Sequence, residues 1–173
     1  IGKADVNCKG QDSQTPLFIA LHLNPTNNST TQSDFVLKLL QSGAKADVYP
    51  ITPFPQRSTL SECCRRRYWD CVQLLCNRGA DAIRVFADGT TPLHHICDCD
   101  GHAPESILQA VLRLPLQVNA LNLSGFTALH LAQDSETVYH LIAAGANPIA
   151  SSPKGTPLQT ITNDVASVTL LLH

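Results

Sequence analysis

Gly89-Thr90-Thr91-Pro92-Leu93-His94 decides the fold, because its last four residues recur down the chain. They return as Thr15-Pro16-Leu17-Phe18, Ser58-Thr59-Leu60-Ser61, Thr127-Ala128-Leu129-His130 and Thr156-Pro157-Leu158-Gln159. A unit repeated every roughly 30 to 40 residues is too small to bury its apolar face alone, so it stacks on its neighbours and the core runs through all of them. Such an array offers an extended surface and seldom encloses a catalytic pocket.

A second landmark sets the register. Gly43-Ala44, Gly79-Ala80 and Gly145-Ala146 each close an apolar run, and the glycines lie 36 and then 66 residues apart, the second interval being twice 33. The missing copy falls in Leu114-Pro115-Leu116-Gln117-Val118-Asn119-Ala120, where Pro115 takes the glycine slot.

Each unit has a local grammar. Threonine is a good N-cap, proline follows at the first helical residue where no amide is needed, and leucine begins the buried stripe. The clearest second helix is Trp69-Asp70-Cys71-Val72-Gln73-Leu74-Leu75-Cys76-Asn77-Arg78, apolar at helical spacing, and Gly79 supplies the left-handed conformation that ends it. A short extended stretch and a turn such as Ala87-Asp88-Gly89 lead to the next cap.

With these residues in place, the unit resembles the ankyrin repeat, whose pattern is Gly-x-Thr-Pro-Leu-His, Ala-Ala, Gly-His, an Ile-Val-x-Leu-Leu run and Gly-Ala-Asp. Residues 58 to 81 follow it without a gap, and Gly89–His94 and Gly125–His130 are the most specific copies. The resemblance covers about five units, at 1–48, 49–83, 84–119, 120–149 and 150–173. It implies an all-α solenoid of stacked helix-turn-helix pairs joined by projecting β-turn hairpins, a single domain over 1–173.

The departures carry their own expectations. The first unit holds an insert, Asn24-Pro25-Thr26-Asn27-Asn28-Ser29-Thr30-Thr31-Gln32, which reads as a polar loop between the helices. In the fourth unit only 18 residues separate Thr127 from Gly145, so its first helix or turn has lost about one turn; the fifth looks equally short. Ile1–Asn7 reads as the tail of a previous unit and Leu170–His173 as an uncapped apolar helix, so a segment of a longer array in a larger multidomain, monomeric chain is expected.

Composition sets the outer bounds. Of 173 residues, 43% are hydrophobic and 15% charged, and a net charge of −2 gives no electrostatic case for nucleic acid or anionic membrane. Apolar runs such as Val36–Leu40 and Val168–Leu172 fall well short of the roughly 20 residues a bilayer requires. Seven cysteines are an odd number, and most fall on small or helical core positions: Cys63, Cys64 and Cys97 in alanine slots, Cys71 and Cys76 in the second helix. They read as reduced, buried thiols of a cytoplasmic or nuclear protein.

One constellation could carry chemistry: His94-His95-Ile96-Cys97-Asp98-Cys99-Asp100-Gly101-His102. Imidazoles and thiolates are zinc ligands, and His95 and Cys99 stand four residues apart on one helical face. A metal-stabilised or enzyme-associated domain is therefore the alternative reading. The repeat accounts for most of it, with His94 in the cap motif, Cys97 in the core and Gly101-His102 in the turn. No catalytic residue, metal or cofactor is assigned, and phosphate-loop, nucleophile-elbow and metalloprotease patterns do not occur.

Binding remains. In the ankyrin family the hairpin tips and the solvent side of the first helix form the concave face. The resemblance places there Arg57, Arg65, Arg66, Ala87, Asp88, Thr90, Asp98, Cys99, Ser124, Phe126, Gln133, Asp134 and Lys154. It implies a non-catalytic protein-interaction module, a scaffold or adaptor of the kind found in signalling and ubiquitin-ligase proteins. Arg57, Arg65 and Arg66, with Arg67 beside Tyr68 and Trp69, suggest a partner presenting an acidic extended segment. As exposed charges, Arg65 and Arg66 are expected to contribute little to stability.

Overall fold

The computed structural model describes residues 5–10, 14–22, 29–46, 58–83, 86, 88–98 and 103–161. In chain order the described helices are α1 (Pro16–His22), α2 (Ser29–Gln41), α3 (Thr59–Arg65), α4 (Trp69–Asn77), α5 (Pro92–Cys97), α6 (Glu105–Leu112), α7 (Ala128–Leu131), α8 (Ser135–Ala143) and α9 (Pro157–Thr160). The first helices of the units form one row, α1, α3, α5, α7, α9, and the second helices form another, α2, α4, α6, α8. Each row packs along itself, and α1, α3 and α5 also pack on the following second helix, so the core lies between two helical layers.

The repeated tetrapeptide starts every first helix. Ser58 Oγ accepts from Ser61 N at 3.0 Å, and Thr15 Oγ1 from Phe18 N at 3.3 Å. In the third and fourth units the histidine closes the box from the other side: Thr91 N donates to His94 Nδ1 at 3.2 Å and Thr127 N to His130 Nδ1 at 3.1 Å. Gln159 does the same in the fifth, its Oε1 accepting from Thr156 N at 2.9 Å. The leucine that follows the cap is buried in four units, as Leu17, Leu60, Leu93 and Leu129, against Val36, Leu40, Val72, Leu75, Val111, Val138 and Leu141 of the second row. Cys63, Cys64, Cys71, Cys76 and Cys97 are buried cysteines outside any disulfide, used as small apolar side chains.

Helix ends follow the glycines. Gly43, Gly79 and Gly145 have φ of 92°, 68° and 88°, and a Cβ at any of them would meet nothing within 4 Å, so conformation alone calls for glycine there. Gly89 is different: besides φ 76°, a Cβ there would come within 3.1 Å of the Asn122–Leu123 backbone of the next hairpin. The hairpins are that closely stacked, with Leu123 N donating to Asp88 O at 2.7 Å.

Asparagines lace successive turns together. Asn7 Nδ2 donates to Gly43 O while its Oδ1 accepts from Lys45 N; Asn119 repeats this with Gly145 O and Asn147 N. At the junction of the second and third units, the matching positions are Ile83 and Pro115, so side chain and glycine partner are lost together.

Two expectations about length resolve differently. The fourth unit's lost turn is in its first helix, α7, which has 4 residues where α3 has 7; α9, with 4, is equally short. The polar-loop reading of the insert is corrected in part. Ser29 to Gln32 form the first turn of α2, because Gln32 has a place in the stack: its Nε2 donates to Ala20 O at 2.6 Å. Residues 24–28 lie outside the described residues, as do Ile1–Ala4 and the apolar end Leu170–His173.

Arg67 is the non-glycine residue at positive φ, 60°, among the described residues, in the turn between α3 and α4. A β-carbon in the left-handed region costs about 1 kcal/mol. Arg67→Gly is therefore expected to leave the fold intact and to raise the urea midpoint by the equivalent of about 0.5–1 kcal/mol, glycine's extra freedom when unfolded offsetting part of the relief.

Candidate functional site

Arg65 and Arg66 end α3 and converge on one carboxylate. Glu62, one helical turn earlier, is 1% exposed. Arg65 Nε donates to its Oε2 at 3.1 Å, Arg65 Nη2 reaches Oε1, and Arg66 Nε donates to Oε1 at 2.6 Å. Burial acts to raise the Glu62 pKa, but hydrogen bonds and charge from the two arginines outweigh it and hold it below the ordinary value. The pairing with Glu62 likewise raises Arg65. The network extends to α2, where Gln32 Oε1 receives Tyr68 Oη at 3.1 Å and Arg66 Nη1 at 3.5 Å.

The reading of both arginines as exposed charges of little structural consequence is therefore corrected for Arg66 and for the pair together, while Arg65 taken alone remains exposed. Arg66's side chain is 14% exposed and Arg65's 42%, and both neutralise an acid in the core. Glu62 went unmarked in the sequence, although its spacing of three and four residues from the arginines was the available signal. Arg67 is exposed, and Trp69 packs partly against the core.

In the third unit, Asp88 Oδ1 accepts from Thr90 N at 3.0 Å and from Thr90 Oγ1, folding the hairpin tip on itself. Slight burial works to raise the Asp88 carboxyl, but these bonds leave it below its ordinary value. Thr90 Oγ1 also lies 3.4 Å from His95 Nε2, and the His95 ring stands edge-on to Phe86 at 4.6 Å between centroids. Burial pushes His95 down to about 4. His94 is deeper. With Nδ1 taken by Thr91 N, its Nε2 donates across the unit boundary to Phe126 O at 2.9 Å, and burial lowers its pKa too.

Farther along, Ser124 is exposed at a hairpin tip and Phe126 half-buried beside it. Phe126 stacks edge-on with His130 at 5.8 Å, and Lys154 Nζ sits 5.5 Å from its ring centroid. Asp98 and Gln133, predicted separately, come together on the lining of a cavity of about 340 Å³ with His130, Leu131, Ala132, Thr160 and Ile161. Asp134 is committed elsewhere: it caps α8, accepting from Thr137 N and Thr137 Oγ1, each at 2.8 Å.

His130 fills the same slot as His94 with a different outcome. Its buried Nε2 faces the Gly155 and Ala150 carbonyls. Gly155 O already accepts from Ser152 N at 2.9 Å and Ser152 Oγ at 2.6 Å.

Arg57, Ala87 and Cys99 lie outside the described residues, as do Asp100, Gly101 and His102. Of the His/Cys constellation, His94 is committed at both ring nitrogens and Cys97 is buried in the core. Among the described residues, no helix is long and apolar enough to cross a membrane.

Comparison with known proteins agrees with this architecture. A family profile described as ankyrin repeats (3 copies) matches residues 60–152. The chain is 30% identical over 134 residues to mouse ankyrin repeat domain-containing protein 63, covering 76% of this chain and 33% of that protein. It is 34% identical over 113 residues to human ankyrin repeat and SOCS box protein 16, covering 65% of this chain and 21% of that one. The match thus spans a third or less of these relatives' own length. A crystal structure of an ankyrin repeat domain from Acinetobacter baumannii superposes with a TM-score of 0.71 at 23% identity, over 99% of this chain and 86% of the other. Stacked helix pairs, threonine caps and matching relatives together make this chain a member of the ankyrin repeat family, whose domains generally serve as protein–protein interaction modules.

Proposed function

We propose that this array binds a partner protein along the face formed by its first-helix row and hairpin tips, and that the bound segment is extended and carries acidic groups opposite the second and third units. The observation that carries this reading is Arg67. A third consecutive arginine stands exposed in a left-handed conformation that glycine would adopt with less strain, and residues kept under strain cluster at functional sites. Beside it, Arg65 turns one edge of its guanidinium to Glu62 and remains 42% exposed, open to a second carboxylate.

Glu62 supports the reading further, since it fixes Arg65 in place and spares a partner part of the cost of ordering that side chain. Asp88, Thr90, Asp98, Ser124, Phe126 and Gln133 continue the proposed surface toward the fourth unit. A role in recruiting partners to a larger signalling or ubiquitin-ligase assembly fits the family and the SOCS box relative, and five buried cysteines outside any disulfide fit a reducing cytoplasmic or nuclear setting.

The test is fluorescence anisotropy with a labelled acidic peptide. Affinity is expected to fall with added salt and to drop roughly tenfold in Arg67→Gly combined with Arg65→Gln, a pair that leaves Arg66 on Glu62. Binding unchanged in that variant but abolished by Phe126→Ala and Ser124→Ala would move the site to the fourth unit and end the acidic-partner reading.

A further inference from the structure

We propose that Glu105, Glu136 and His140 form a binding site for a divalent transition-metal ion of the zinc type, on the second-helix row and so on the opposite layer from the partner face. Glu136 and His140 stand four residues apart on α8, one turn of helix, so they rise from the same face. Glu105 opens α6, which packs beside α8. The three donor atoms lie within 4.8 Å of one another, with His140 Nε2 3.1 Å from Glu105 Oε1.

That geometry is close to a coordination sphere. Ligands about 2.1 Å from a tetrahedral zinc are about 3.4 Å apart. The His140–Glu105 pair already meets this, and Glu136, exposed and free to change rotamer, needs to move by little more than an ångström. Gln109 donates to Glu105 Oε1 from the next turn of α6, the kind of outer hydrogen bond that orients a ligating carboxylate. An ion here would replace the proton between Nε2 and Oε1, offset the repulsion of two carboxylates, and join the third unit to the fourth. One imidazole with two carboxylates suits zinc, nickel or copper, whereas magnesium and calcium take oxygen ligands.

Calorimetric titration of metal-free 173-residue protein with zinc and with magnesium tests the site. One zinc equivalent is expected, with affinity falling at least about tenfold in each of Glu105→Gln, Glu136→Gln and His140→Gln, and less than that in Gln109→Leu. Saturating zinc is expected to raise the thermal midpoint of the parent by about 3 °C or more and to leave His140→Gln unmoved. Zinc affinity unchanged in His140→Gln would overturn the proposal and place the ion on thiols such as exposed Cys8. Equal, His140-independent heats from magnesium and zinc would also overturn it, leaving only a diffuse acidic patch. All three ligand variants lie on exposed or half-exposed positions, so their metal-free midpoints serve as the folding control.

Discussion

Replacing Arg65 and Arg66 together by glutamate is expected to cost at least about 3–5 kcal/mol of folding stability, the penalty for stranding a charge in the core. Glu62 is 1% exposed, and its carboxylate oxygens are held by these two side chains. The double variant removes both partners and adds two negative charges within a helical turn. For a chain of this size, about 2–4 °C of midpoint shift per kcal/mol makes the loss plain in a thermal melt. Arg65→Gln alone is expected to cost less than about 1 kcal/mol, since Arg65 is well exposed and Arg66 remains. A double variant melting within a few degrees of the parent would mean that Glu62 reaches water and that the network is not structural.

The same carboxylate has a signature in acid. Its pKa is lower folded than unfolded, so its stabilisation is complete above about 4.3, the unfolded value, and is lost as pH falls through the folded one. Glu62→Gln is expected to remove that acid-limb contribution while lowering stability at neutral pH.

The contrast between what was legible and what was not runs along the same helix. Ser58 and Leu60 are read correctly from spacing, because a cap and a stripe position are local facts repeated down the chain, and Cys63 from the small-residue slot that the family resemblance implies. Glu62 is not repeated, and whether an acid in such a slot is solvated or buried depends on Gln32 and Tyr68, the first brought in by α2 of the preceding unit. The insert failed for a related reason. Polar residues read as loop until a tertiary acceptor, here Ala20 O, gives Gln32 a reason to be helical. The proposed binding residues divide similarly, since Asp98 and Gln133 meet only because neighbouring units pack, and Asp134 proves to be a cap. A repeat motif predicts the scaffold well and says little about side chains that face the next unit.

Those facing side chains include the buried His94 and His130, and with the half-buried His95 they are expected to give the second large effect, on acidification. Burial lowers the pKa of His94, His95 and His130, and for His95 it brings the value to about 4. An imidazole whose folded pKa is depressed stabilises the fold fully above the unfolded value near 6.5, and that contribution drains away as pH falls, because the unfolded chain takes the proton first. For His95 the slope is about 1.4 kcal/mol per pH unit, so on the order of 2 kcal/mol is gone by pH 5. Asp88 draws His95 toward protonation while Arg65 opposes it, and burial dominates both. His94 and His130 add to the fall in the same direction. Urea midpoints measured from pH 7 to pH 5 should therefore drop steeply in the parent and less in His95→Gln. The double variant His94→Gln/His130→Gln should keep its helix caps, as Gln159 does in the fifth unit, but lose the bond from His94 to Phe126 O. It should start less stable and decline more gently. Parallel pH curves for the parent and both variants would show that the unfolded chain gains no proton advantage, and that these rings stay neutral for reasons other than the packing of one unit against the next.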